Sequence, residues 1–181
     1  MARRIRIVAT IVAMALAASI MCIGIYAATQ VSINGSGTIS MTAKDVAATV
    51  TGEKGKNEEG LTQFGTQTFD VSSNTESYEW SLGEINFTTV NDTATIQLTV
   101  KNNFSDKESN NVKATLTLTI PEDAGYAVEV NDAAYTAAVT ETTEGETDVV
   151  FTIKISMKET SQEKDFSNNF AFKLDLEKAV A

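Results

Sequence analysis

Chemistry at a protein site usually needs a nucleophile, a base or a cluster of metal ligands, and this chain is short of all three. It has no histidine, which removes the usual base of a Ser–His–acid triad and the commonest metal ligand. Its one cysteine, Cys22, sits inside an apolar leader, where a thiol is membrane-buried and inert. Ser19, Ile20 and Met21 before it do not form a lipoprotein cleavage box. No recognisable motif brackets a Ser–Lys pair. The paired carboxylates Glu58/Glu59 and Glu122/Asp123 fall in polar loops, where solvent keeps them ordinary acids. Asp106, Glu108, Asp123 and Asp132 are oxygen donors of the kind calcium accepts, but no EF-hand spacing joins them. The expectation is no enzyme, no metal site and no cofactor.

Three other constellations could carry binding or modification. Asn34, Asn86, Asn91 and Asn103 each begin an Asn-x-Ser/Thr sequon, which permits glycosylation of an exported chain. Tyr78, Trp80, Tyr126 and Tyr135 could stack sugars, but Tyr78 and Trp80 share a face with Leu82, which makes Trp80 the expected central core aromatic. A Lys–Asn crosslink needs Lys, Asn and an acid in the core, with Lys44 and Asn168 or Asn169 as its candidates.

The elements that must position these residues alternate with period two, the mark of strands with one buried face. Ala94, Ile96, Leu98 and Val100 alternate with Thr95, Gln97 and Thr99. Val112 to Ile120, Phe151 to Met157 and Phe170 to Leu176 repeat the pattern. Threonine suits the outer positions, because its branched side chain fits the pleat while its hydroxyl stays wet. Weaker strands are expected at 66–71, 78–82, 85–90, 126–130 and 135–139. Charged or acidic loops are expected at 53–60, 102–111, 141–148 and 159–165. Near the start, Val31, Ile33, Ile39, Met41 and Ala43 hold odd positions, whereas Val46, Ala48 and Val50 hold even ones. The phase flips at Lys44-Asp45, which predicts a bulge or a crossing to another sheet. Many short strands with turn signals between them indicate an all-β, two-sheet antiparallel β-sandwich, jelly-roll or immunoglobulin-like, preceded by a hydrophobic leader helix.

The leader fixes the compartment. Arg3, Arg4 and Arg6 precede an apolar run over residues 7–28 that is broken only by Thr10 and Ser19. A basic flank followed by an apolar stretch is an export signal. The run is long enough to span a bilayer, which needs ~20 residues. Two outcomes stay open: cleavage between Ala27 and Ala28, which is favoured, or retention as a single-pass anchor over residues 1–27. Either way the domain works outside the cytoplasm, at the cell surface or in the extracellular space, and meets membrane only through the leader.

All 24 acidic residues follow the leader, whose only charges are three of the 14 basic residues. So acidic a surface repels nucleic acid and anionic lipid. Without a second cysteine no disulfide supports the domain, so its stability must come from the sheet core or from assembly.

Gly24-Ile25-Tyr26-Ala27 closes the leader. A long apolar leader ending in Gly-x-Tyr/Phe-Ala, ahead of an acidic, cysteine-poor all-β domain, resembles the TasA/camelysin family of exported bacterial fibre proteins. It is also similar to related archaeal pilus subunits. The match covers the leader motif and the layout. It departs just after the cut, where Ala28-Thr29-Gln30 replaces the family's aromatic-Ser/Thr-Asp step. The resemblance implies a structural subunit of a surface or matrix filament, with self as the head-to-tail partner or other surface proteins beside it. Assembly would use a donated N-terminal strand, whose main-chain hydrogen bonds give affinity while alternate side chains fill a groove. The segment 28–43 is the donor candidate, with Val31 and Ile33 as plugs and Gly35 and Gly37 as hinge, ahead of a sandwich over 44–181. The plain alternative is that residues 28–43 are the first strands of their own sandwich. A monomeric tethered or secreted binding module for glycan or protein is the competing function. The metalloprotease activity sometimes attached to camelysin-type proteins does not carry over, because the zinc-binding His-Glu-x-x-His helix has no counterpart here.

Overall fold

The computed structural model describes residues 31–41, 45–57, 59–72, 76–88, 91–107, 110–122, 124–135, 139–145, 147–158 and 169–180. The leader, Ala27, Ala28, Lys44 and Asn168 lie outside them, as do Glu58, Glu108 and Asp123. The described residues hold eleven strands and no helix. They are β1 (Val31–Met41), β2 (Ala48–Lys56), β3 (Thr62–Phe69), β4 (Ser77–Phe87), β5 (Thr93–Asn102) and β6 (Asn110–Thr119). The rest are β7 (Tyr126–Val130), β8 (Ala133–Tyr135), β9 (Val139–Gly145), β10 (Asp148–Met157) and β11 (Asn169–Val180).

They form two sheets, in the orders β4-β1-β11-β6-β9 and β3-β2-β5-β10-β7-β8. The alternation dictates the packing. Ala94, Ile96, Leu98 and Val100 on β5 and Phe151, Ile153 and Ile155 on β10 are buried on the inner face of the second sheet. Leu116 and Leu118 on β6 and Leu174 and Leu176 on β11 belong to the same hydrophobic core from the first sheet. Each of these side chains larger than alanine contributes roughly 1.5–3 kcal/mol by leaving water. The outer faces carry threonine ladders. Thr115 meets Thr142 at 3.1 Å and Thr49 meets Thr68 at 3.0 Å, hydroxyl to hydroxyl.

The structure departs from the sequence reading in several places. The sheets are not wholly antiparallel: β1 runs parallel to β11, from Asn34 opposite Asn169 to Met41 opposite Leu176. Period two marks a strand but not its direction, so nothing in the alternation could show this. The expected acidic loop at 141–148 is largely β9, held in the ladder by β6. The expected loop at 53–60 is half strand, because β2 runs to Lys56. The strands expected at 78–82 and 85–90 are one element, β4, bent where Gly83 takes φ +65°. The phase flip at 44–45 is a crossing from the first sheet to the second, with Asp45 at φ 71° and Val46 and Ala47 buried beyond it.

Candidate functional site

β1 is an interior strand with an unusual inner face. Its inward positions read Ile33, Gly35, Gly37, Ile39 and Met41, all buried. The glycines are not voids. A Cβ on Gly35 would lie 2.4 Å from Leu82 Cδ1, and a Cβ on Gly37 would lie 2.1 Å from Phe172 Cζ. Side chains from β4 and β11 therefore fill the space the glycines leave. This pattern of knobs and holes fixes the register, because a slipped strand would set Ile33 or Ile39 against Leu82 or Phe172.

Pairing divides β1 into two parts. Residues 31–33 pair with β4, Val31 opposite Phe87 and Ile33 opposite Ile85. Along residues 34–41 β11 flanks the other side. The register with β4 breaks between Gly35 and Ser36, and the extra residue is Leu82 on β4. Gly83, next to it, supplies the left-handed conformation that such a bulge uses. The Lys54 ammonium donates to the Leu82 carbonyl at this kink.

Both rails beside the break are pinned. Tyr126 Oη donates to the Asn169 carbonyl at 2.8 Å, and its ring meets Phe170 edge-on at 6.4 Å. Burial pushes the Tyr126 phenol up to about 12, so it stays a donor. On the β4 side, Asp92 accepts from the Thr88 amide at 2.6 Å, the Thr88 hydroxyl at 2.8 Å and Asn57 Nδ2 at 2.9 Å. The Lys56 ammonium lies 2.9 Å from the same carboxylate. Burial opposes its ionisation, yet these donors together hold the Asp92 carboxyl well below the usual carboxylate range. Thr88 follows Phe87, the partner of Val31, so this network fixes the outer end of the rail. A groove of about 420 Å³ opens here, lined by Glu84, Ile85 and Asn86 of β4 and by Lys54, Lys56 and Thr62.

The proposed plugs and hinge thus lie on one strand. Val31 opens β1, Ile33 is wholly buried in the core, and Gly35 and Gly37 flank the register break inside the strand. The segment over 28–43 and the sandwich over 44–181 share a sheet from β1 onward. The sequons lie apart: Asn34 on β1, Asn86 exposed on β4, Asn91 exposed at a turn, and Asn103 donating to Thr49 Oγ1 at 2.7 Å. The aromatics do not gather into a platform. Trp80 is a correction: it is half-buried at the rim, edge-on to Phe64 at 5.6 Å and over Gly65, because β4 is an edge strand. Tyr78 meets Phe69 edge-on at 5.8 Å, while Tyr126 and Tyr135 sit on β7 and β8. Asn169 begins β11, exposed, with its crosslink partner Lys44 outside the described residues. Among the described residues no group of three or more His, Cys, Asp or Glu could hold a metal ion. No helix among them is long and apolar enough to cross a membrane.

Sequence reasoning missed the Asp92 network and the filling of the glycine holes. Asn91-Asp92 directly before a strand is a turn signal that could have found the first.

No protein-family model matches the chain, and no curated protein matches it. Among solved structures, a mutant of the major pilin from Streptococcus pyogenes is similar at 8% identity and a TM-score of 0.17. The match covers 82% of this chain and 98% of that one. A score so low carries no argument about fold or role.

Proposed function

We propose that this chain is an exported structural subunit of a cell-surface or matrix filament, assembled by exchange of the residues ahead of Gly35. One observation carries the reading: the register of β1 with β4 breaks between Gly35 and Ser36, beside the left-handed Gly83. Residues 31–35 pair with β4 in one register, whereas residues 36–40 lie in a shifted register between β4 and β11, with Phe172 seated on Gly37. Releasing the residues ahead of the break undoes their pairing with β4 and leaves the second part in place. The vacated place beside β4 then fits the same residues of another copy, since the sequences are identical. A head-to-tail exchange of this kind does not close on itself and grows a filament. Export is supported by the basic and apolar leader, and the role is assembly rather than catalysis. We read the topology as jelly-roll in kind, because each step from β3 to β7 changes sheet.

The test is deletion of residues 28–34, with filaments scored by negative-stain microscopy and folding by circular dichroism. The reading expects folded protein without filaments. Filaments that persist after the deletion would sink it. A wild-type protein that stays monomeric at high concentration would favour the binding module instead.

A further inference from the structure

Among the described residues the two sheets end in four edge strands, β4, β9, β3 and β8. Exposed edges invite pairing with other chains, and proteins guard them with charge, kinks or shortness. Three of these edges are guarded. β4 carries Glu79 and Glu84, and Lys54 donates to its Leu82 carbonyl at the Gly83 kink. β9 carries Glu141 and Glu144. β8 has three residues and follows Asn131 and Asp132, both left-handed. β3 differs: residues 61–69 contain no charge and no proline. Its one irregularity is Phe64, skipped in the pairing with β2, and Gly65 to Phe69 continue in regular register.

We infer that β3 is a self-pairing edge, which joins β3 of a second copy antiparallel about a two-fold axis at Thr66. The other long edges would set carboxylates near carboxylates in a protein of net charge −10, whereas β3 would not. The ends of the strand supply a second argument. The large exposed hydrophobic residues among the described ones are Leu61, Val71 and Val150, and the first two flank β3. An antiparallel pairing centred on Thr66 sets Leu61 of each copy opposite Val71 of the other. It also sets Gln63 opposite Phe69 and Gly65 opposite Gln67. The contact extends the second sheet into a continuous sheet of two copies. It does not involve β1, so it is expected even where no filament forms.

The test is made on the full chain carrying Cys22→Ala, which removes its only thiol. Sedimentation should show a concentration-dependent dimer that Thr66→Lys weakens at least tenfold, by opposing two ammonium groups at the axis, and that Thr66→Ser leaves unchanged. Thr66→Cys should form a disulfide dimer on mild oxidation much faster than Thr119→Cys, which is exposed on an interior strand. A dimer indifferent to Thr66→Lys, or equal cross-linking at the two positions, would overturn the inference. So would a monomer at every concentration.

Discussion

Residues 31–35 and residues 36–40 of β1 pair with β4 in two registers, offset by the bulge at Leu82. The first part offers the buried Ile33 to its own core. The second is locked by Phe172 on Gly37 and by the buried Ile39 and Met41. On the proposed reading the part ahead of the bulge opens and the part beyond it stays in place. Glycine acts differently in the two. At Gly35 it borders a bulge where the chain can turn, and at Gly37 it is a socket for a ring. A glycine pair that reads as a hinge in sequence borders a bulge at Gly35 and seats a ring at Gly37 in the structure.

The largest effect should come from filling the lock. Gly37→Val drives a side chain into the Phe172 ring and should cost about 3 kcal/mol of unfolding free energy. The same change at Gly60, which has nothing within 4 Å of a built Cβ, should cost little. Urea unfolding of both variants checks this, and equal costs would break the contrast. Next comes the rail beside the loose part. Asp92→Asn should cost about 2 kcal/mol at neutral pH, the scale of lost hydrogen bonds to a charged group. Because folding depresses the Asp92 pKa, its stabilisation is present above the ordinary carboxylate value of about 3.9 and is lost as pH falls below it. The gap between wild type and variant should therefore narrow below about pH 4. A gap that is constant with pH would contradict the ionic role. The smallest effect is local. Amides of residues 31–33 should exchange with solvent about tenfold faster than those of 36–41, a difference of about 1.4 kcal/mol in opening. Equal protection along β1 would remove the distinction.

Much of the scaffold was legible because burial is periodic. Ile96, Leu98, Leu116 and Phe151 stand where alternation puts them, and the phase flip at Lys44-Asp45 marks a real change of sheet. What stayed hidden depends on partners distant in sequence. Strand direction beside β11, Leu82 over Gly35 and Phe172 over Gly37 all require knowing which strands meet. Trp80 was misplaced for the same reason: its face was evident, but not that β4 lies at an edge. At the candidate site, Val31, Ile33, Gly35 and Gly37 were singled out from sequence. The bulge beside them was not, since it depends on Leu82 and Gly83 of a strand distant in sequence.

The most direct measurement is disulfide trapping across the two parts of β1. Ile33 lies opposite Ile85, and Ile39 lies opposite Tyr78. In a Cys22→Ala background, Ile33→Cys/Ile85→Cys and Ile39→Cys/Tyr78→Cys would be assembled, oxidised and run on non-reducing gels. Exchange ahead of Gly35 predicts a ladder of linked subunits for the first pair and linked residues within single subunits for the second. Single subunits for both pairs, in samples that contain filaments, would contradict the account.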